Sequence, residues 1–263
     1  MLLSELAGHD LGALTVAYDD RTTILYALCA GATNAELDLV WERDLRALPS
    51  LATALGLWAV EAAGDTGAYD RRKSLHVGQR LRMLSPLPPS GSIEMSGRVD
   101  AVWDKGRAAI VEIGVSSPYF DLGFTIFLPG LGGFGGEPGP ASAAAEEFTP
   151  QVEVTVDTDD RLALLYRLTG DRHPIHIDPA VAADNGFDRP ILHGLCTLAI
   201  AAHALGPLVG CHPADLKELD CRFATPVVPG DRLIVRATRG DGAARFDAII
   251  GDRIVLKDGR ARF

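Results

Sequence analysis

The chain has 263 residues, 47% of them apolar, and carries 35 Asp and Glu against 25 Lys and Arg, a net charge of −10. This length suits one large domain or two small ones with ample core, and the composition is that of a soluble globular protein. The acidic balance argues against nucleic acid or an anionic membrane surface as partner, and no stretch is long and apolar enough to span a bilayer.

The N-terminal Met1–Leu14 has no basic segment followed by an apolar run, and the C-terminal Ala261-Arg262-Phe263 is not a peroxisomal address. Cys29, Cys196, Cys211 and Cys221 form no C-x-x-C pair and read as reduced thiols. Together these point to a cytoplasmic protein. Helical spacing predicts a helix over Thr22–Ala30, with Asp19 or Asp20 as N-cap, and a second over Leu51–Ala63 that ends at Gly64. Strand-like runs follow at His76–Leu84, Ser92–Trp103, Ala108–Ser116 and Gly123–Leu128, with Asp104-Lys105-Gly106 as a hairpin turn between two of them.

The Gly-, Ala- and Pro-rich stretch from Gly130 to Phe148 reads as a loop or linker. It divides the chain into an N-terminal half (1–130), a linker (131–150) and a C-terminal half (151–263). In the second half Gln151–Val156 alternates as a strand and Asp159–Leu168 reads as a short helix closed by Gly170. Asp178-Pro179 opens another helix, with Asp as N-cap and Pro in the first turn, ending at Gly186. His193–Val209 is apolar almost all round and should be a buried helix. Strands follow at Leu216–Phe223, Arg232–Ala237, Arg245–Ile250 and Arg253–Lys257. A long helix followed by antiparallel strands, twice over, predicts an α+β fold of two sheets, each wrapped around a central helix.

The chemistry concentrates in Tyr166–Cys196. Asp171, His173 and His176 lie between Gly170 and two prolines, Pro174 and Pro179, which stiffen the loop. Such a loop can hold Asp171 and His176 on one water. The alternative is a turn with solvated histidines, and for Asp178 the role of helix cap is preferred. His173, His176 and Asp178 also have an H-x-x-H-x-D metal spacing, to which His193 could add, but Asp178 is better used as the cap. Gly194 opens the apolar helix; its N–H can donate to a developing oxyanion, and its lack of a side chain equally suits close packing. His203 reads as a core or rim histidine. Gly130–Gly135 matches G-x-G-x-x-G by accident, since Pro138 and Pro140 prevent the helix that a dinucleotide site needs. Lys105, Arg107, Arg172, Arg189 and Arg222 are candidates for an anion-binding patch. No G-x-S-x-G motif is present and no cysteine has a credible catalytic partner, so covalent acyl transfer has no support.

Tyr166–Cys196 resembles the signature of the hydratase 2 family, the MaoC-like (R)-specific enoyl-CoA hydratases, and is most similar to the hydratase domain of multifunctional enzyme type 2. Thr23–Gly31, Leu87-Pro88-Pro89, Asp104-Lys105-Gly106, Phe127–Gly136 and Phe223–Gly230 resemble family segments in family order, so the similarity covers nearly the whole chain. It implies a double hot dog fold in which the second half carries the catalytic loop and the first half has lost it and opens to admit bulky acyl chains. It places the catalytic pair on Asp171 and His176, and the N–H facing the thioester oxygen on Gly194. Acyl-CoA-binding positions fall on His76 with Val77, on Lys105, on the loop with Arg172, Pro174 and Ile175, and on Phe223. His173 stands where the family usually has an asparagine that helps hold the catalytic water and the aspartate. A histidine there can donate one hydrogen bond to Asp171 or the water, and can titrate. Val77 stands where a glycine is common.

The implied reaction is hydration of a trans-2-enoyl-CoA to the (3R)-3-hydroxyacyl-CoA. No metal or redox cofactor is expected, coenzyme A being part of the substrate, and a homodimer is the expected assembly. The alternatives are a dehydratase of acyl-carrier-protein thioesters and a non-catalytic acyl-CoA-binding hot dog protein.

Overall fold

The computed structural model describes residues 1–141, 148–238, 240 and 242–263, so part of the expected 131–150 linker lies outside the described residues. Ten strands build one antiparallel sheet: β1 (Asp10–Tyr18), β2 (Leu75–Met83), β3 (Gly91–Asp104), β4 (Ala108–Ser116), β5 (Phe120–Pro129), β6 (Val152–Asp157), β7 (Glu218–Phe223), β8 (Arg232–Ala237), β9 (Ala243–Ile250) and β10 (Arg253–Arg262). Their order is β1-β3-β4-β5-β2-β7-β10-β9-β8-β6. Taken inward from each edge the two sequences correspond, β1-β3-β4-β5-β2 matching β6-β8-β9-β10-β7. The two expected sheets are therefore halves of one continuous sheet, joined at a pseudo-two-fold axis where β2 pairs with β7 from Gly78↔Arg222 to Arg82↔Glu218. This is the architecture of a double hot dog.

The helices lie on the face toward which β3, β4 and β5 turn their buried residues, such as Met95, Ile113 and Phe124. They are α1 (Asp20–Cys29), α2 (Leu37–Val40), α3 (Leu51–Leu55), α4 (Trp58–Asp65), α5 (Leu162–Tyr166), α6 (Pro179–Asp184) and α7 (Gly194–Leu208). Of the two expected caps for α1, Asp19 serves: its carboxylate accepts from the Thr22 N–H at 2.9 Å. The single helix expected over Leu51–Ala63 is broken into α3 and α4 at Gly56, where any Cβ would collide with the Leu122 side chain of β5. In α7 every residue from Leu195 to Ala202 is buried, as its apolar sequence requires. Each fully buried Leu or Ile there contributes ~1.5–3 kcal/mol relative to exposure.

Two strands depart from expectation. β1 was not visible in the sequence because it is an edge strand with mostly exposed residues and no clean alternation. β10 runs on past Lys257 because Asp258 (φ 56°) and Gly259 form a bulge in the ladder, with the register shifting between Leu256 and Gly259.

The pseudo-symmetry leaves a trace in the side chains. Asp19-Asp20-Arg21, Leu25-Tyr26 and Leu28 recur at the same spacing as Asp159-Asp160-Arg161, Leu165-Tyr166 and Leu168. The mates Tyr26 and Tyr166 are both buried and their rings meet at 5.9 Å, near the axis between α1 and α5. Beyond this motif the halves diverge. After α5 the chain enters the Asp171–His176 loop, whereas after α1 it enters a turn in which Glu36 accepts from Thr33 N–H at 3.0 Å and pairs with His203 of α7 at 2.7 Å.

Candidate active site

The loop after α5 is shaped by its own hydrogen bonds. A 3-10 turn at Arg167–Thr169 stops at Gly170, whose φ of 145° lets the chain double back toward Ala54. Asp171 Oδ1 then accepts the His173 main-chain N–H at 3.1 Å. His173 Nδ1 accepts the Ile175 N–H at 3.3 Å and so caps the following 3-10 turn, Pro174–His176. Asp178 caps α6, accepting from Ala180 N–H at 2.8 Å, as expected from the sequence. One expectation is corrected in part: the donor to Asp171 is the His173 main-chain N–H, which every residue type but proline would supply, and not the His173 ring. His173, His176 and Asp178 do not converge as a ligand set, in keeping with the preference for Asp178 as a cap, because His173 and Asp178 are turned to capping.

His176 is fixed differently. Its Nδ1 lies 2.8 Å from the Ile191 carbonyl oxygen. A carbonyl only accepts, so Nδ1 carries the hydrogen and Nε2 presents a lone pair in the neutral ring. That Nε2 lies 3.8 Å from Asp171 Oδ2. Two acceptors face each other across a gap too wide for a direct hydrogen bond and suited to one water donating to both. Burial pushes the His176 imidazole below the usual histidine range, the Asp171 charge and the Ile191 carbonyl opposing it in part. The unprotonated, acceptor form is thereby favoured.

Behind this pair stands His193, the N-cap residue of α7 and only 1% exposed. Its ring stacks on His176 at a centroid distance of 3.7 Å and an interplanar angle of 25°. Its Nε2–H donates to the Asp171 main-chain carbonyl at 3.2 Å. Tyr166 packs against it at 4.9 Å. Burial, reinforced by the neighbouring His176, pushes His193 down to about 3. Asp171, His176 and His193 are the group of possible metal ligands found closest together among the described residues. One ring nitrogen of each histidine is, however, already held by a main-chain carbonyl, His176 Nδ1 by Ile191 and His193 Nε2 by Asp171.

Gly194 begins α7, so its N–H has no acceptor within the helix. A Cβ on Gly194 would lie 3.3 Å from the Phe223 ring, and Phe223 packs edge-on to His76 at 4.9 Å. His76 sits at a bulge in β2 with Val77, its Nε2–H donating to the Gly78 carbonyl at 2.9 Å. Burial pushes His76 down to about 4, although the Gly78 carbonyl and the charge of Asp171 act against it. Asp171, His176, Gly194, Phe223 and His76 thus share one neighbourhood, with Val77 beside it. Ile175 is half-buried on the loop, while Arg172 and Pro174 are exposed on its outer side.

Lys105 is placed elsewhere, at the β3–β4 hairpin. Its ammonium donates to the carbonyls of Pro138 and Pro140, at 3.0 Å for the latter. Next to it the Asp104 carboxylate accepts from the N–H groups of Gly106 and Gly133 at 2.8 Å and of Gly135 at 2.9 Å. These bonds hold its carboxyl below the usual range. The glycine-rich segment is therefore docked on this hairpin up to the last described residue before 142, and its glycines serve a close approach: a Cβ at Gly132 would lie 2.6 Å from the backbone of Ala108. Neither the Asp104 clamp nor the His193 stack was legible in the sequence. The first needs the fold to bring residues together across a hairpin, and the second depends on ring orientation.

Residues 16–127 match the family model of the MFE-2 hydratase 2 N-terminal domain, and residues 141–256 that of the MaoC like domain. The chain belongs to the MaoC-like hydratase 2 family. This MaoC-like chain is 34% identical to 3-hydroxyacyl-thioester dehydratase Y of Mycobacterium tuberculosis, over 97% of both chains. It is 42% identical to enoyl-CoA hydratase ChsH3 of the same organism, over 68% of this chain and 65% of that one. The crystal structure of a MaoC-like dehydratase from Phytophthora capsici aligns with a TM-score of 0.85 at 26% identity, covering 99% of this chain and 97% of that one.

Proposed function

We propose that this protein is an (R)-specific 2-enoyl-CoA hydratase, a hydro-lyase that adds water to trans-2-enoyl-CoA to give the (3R)-3-hydroxyacyl-CoA. The observation that carries this reading is the facing pair of acceptors, Asp171 Oδ2 and His176 Nε2, 3.8 Å apart at a helix N-terminus. The thioester oxygen accepts from Gly194 N–H, which stabilises the enolate as charge develops there. Water donates one O–H to each acceptor and its oxygen bonds to C3. His176 Nε2 takes the water proton, since imidazole is the stronger base of the two group types. The imidazolium, stabilised by Asp171, then returns the proton to C2 on the same face. The water is consumed and the enzyme is regenerated with no metal or redox partner in the sequence of steps.

The second half thus carries the chemistry, and the first, with His76 and Val77, accommodates the acyl chain. Lys105 contacts coenzyme A in this reading only if its bonds to Pro138 and Pro140 open. We also assign a cytoplasmic homodimer. Support for the compartment is that all four cysteines are free. Support for a second copy is the set of exposed leucines, Leu28, Leu164, Leu165 and Leu168, on and next to the neighbouring helices α1 and α5. Among the described residues no helix is long and apolar enough to cross a membrane.

The test is hydration of crotonyl-CoA, a medium-chain enoyl-CoA and a bulky steroid-type enoyl-CoA, with chiral analysis of the product. (3R) product from any of them supports the assignment. Activity restricted to carrier-protein thioesters would move it to the dehydratase reading favoured by the name of its relative 3-hydroxyacyl-thioester dehydratase Y. Binding without turnover would make it a non-catalytic acyl-CoA-binding protein.

A further inference from the structure

His193 contributes nothing to the reaction just described, yet it is among the most buried polar side chains of the protein. As a packing residue it is a poor choice. With Nε2–H bound to the Asp171 carbonyl, Nδ1 is a buried acceptor without a hydrogen-bond partner among the described residues. Leaving such a group unpaired is destabilising, and an aromatic hydrocarbon ring of similar volume would fill the space without that penalty. What an aromatic hydrocarbon cannot do is bind the main chain of Asp171 while its face lies on His176.

We propose that His193 is a positioning residue that holds both proton-transfer groups in register. The two contacts have different targets. The Nε2–H bond of 3.2 Å fixes the carbonyl of Asp171, and hence the start of the loop whose carboxylate holds the water. The stack at 3.7 Å fixes the plane of His176, so that with Nδ1–H on the Ile191 carbonyl, Nε2 can point only toward Asp171. One ring, itself anchored at the first turn of the buried α7, thereby ties the distance between Asp171 Oδ2 and His176 Nε2 to the body of the second half. His193 touches neither water nor substrate in this arrangement, so its loss should be read in turnover and not in substrate affinity.

The inference rests on the hydratase reading for its kinetic arm only. The variants are His193→Phe, which keeps the stack and removes the donor, and His193→Gln, which keeps a donor and removes the ring. For His193→Phe we expect a Tm equal to or above that of the parent, a kcat lower by ~10-fold or more, the usual consequence of misplacing reacting groups, and a KM within about two-fold. His193→Gln, which removes the stack and keeps a donor, should give no further loss in a His176→Gln background, because the ring that the stack orients is then absent. Undiminished kcat in His193→Phe, or a further loss from His193→Gln in the His176→Gln background, would overturn the proposal.

A second arm is independent of activity: titration of the His176 imidazole by NMR. The charged and titratable groups around His176 are Asp171 and His173 on its own loop and His193 on α7, with Arg167 beyond His193. Removing the buried ring in His193→Gln admits water to His176, so its midpoint should rise toward the ordinary histidine value. An unchanged midpoint would also overturn the proposal. If the parent protein hydrates no enoyl thioester, the functional assignment falls while this arm still decides the role of His193.

Discussion

Replacing Asp171 by asparagine separates the charge of the site from its shape. The asparagine carbonyl can still accept the His173 N–H that Asp171 Oδ1 accepts at 3.1 Å, so the loop should keep its path. What is lost is the negative charge 3.8 Å from His176 Nε2. At an effective dielectric constant of about 20, two unit charges near 4 Å apart interact by about 4 kcal/mol, which bounds the stabilisation that Asp171 gives the transient imidazolium. At about 1.4 kcal/mol per decade this is a loss of up to ~10³-fold in kcat. We expect at least ~10²-fold, with native far-UV circular dichroism and little change in Tm. The pH–rate profile adds a sign that loss of shape would not produce. Asp171 raises the His176 pKa against the effect of burial, so without the charge His176 protonates less readily. Its neutral form then persists to lower pH, and the acid limb of kcat moves down. The assay is steady-state hydration of crotonyl-CoA between pH 4.5 and 8.5, followed by loss of enoyl absorbance. A folded Asp171→Asn variant with kcat within ten-fold of the parent, or an acid limb moved to higher pH, would refute the reasoning.

Three further outcomes are expected. His173→Asn should retain activity within about three-fold, because an asparagine oxygen can cap Ile175 N–H as His173 Nδ1 does; a loss of ten-fold or more in the same assay would show that the His173 ring has a direct part in the reaction. Gly194→Ala should fold, since alanine suits a helix, but its Cβ would press on Phe223 at 3.3 Å, and kcat/KM should fall by ~10-fold or more with Tm nearly unchanged. Exhaustive chelation should leave turnover intact, because His173 and Asp178 serve as caps and one ring nitrogen of each of His176 and His193 is held by a main-chain carbonyl; stoichiometric zinc whose removal abolishes turnover would contradict this.

The parts of this architecture that show in the sequence are those decided locally. The apolar run of α7, the Asp178-Pro179 cap and the Asp104-Lys105-Gly106 turn are each written in a few consecutive residues, and the structure has them all. The Asp171–His176 loop was conspicuous because Gly170, Asp171, His176 and two prolines are close in sequence. Features that depend on a distant partner were not legible. The need for glycine at 56 follows from Leu122 of β5, the role of Asp104 from glycines beyond β5, and the continuation of β10 from a bulge that reads as a turn. β1 carries almost no burial signal because its neighbour lies on one side only. The capping role of His173 was not legible for a related reason: backbone donors within the loop compete for its ring, and sequence alone does not rank them.

The fusion of the two half-sheets through β2 and β7 bears on how such a chain can change over time. A symmetric assembly of two identical subunits must accept every substitution twice, once in each copy, so a loop that performs chemistry cannot be altered in one place alone. Here the two copies of the motif ending in Leu28 and Leu168 belong to a single polypeptide, and the segments that follow them have parted company: one retains Asp171 and His176, the other has Glu36 bound to His203. A single chain with one reactive loop should turn over at one centre per polypeptide, despite its near two-fold frame. The opposite position, which has Glu36 and His203 in place of the Asp171–His176 pair, is free to drift in size and polarity while the shared ladder keeps the frame intact.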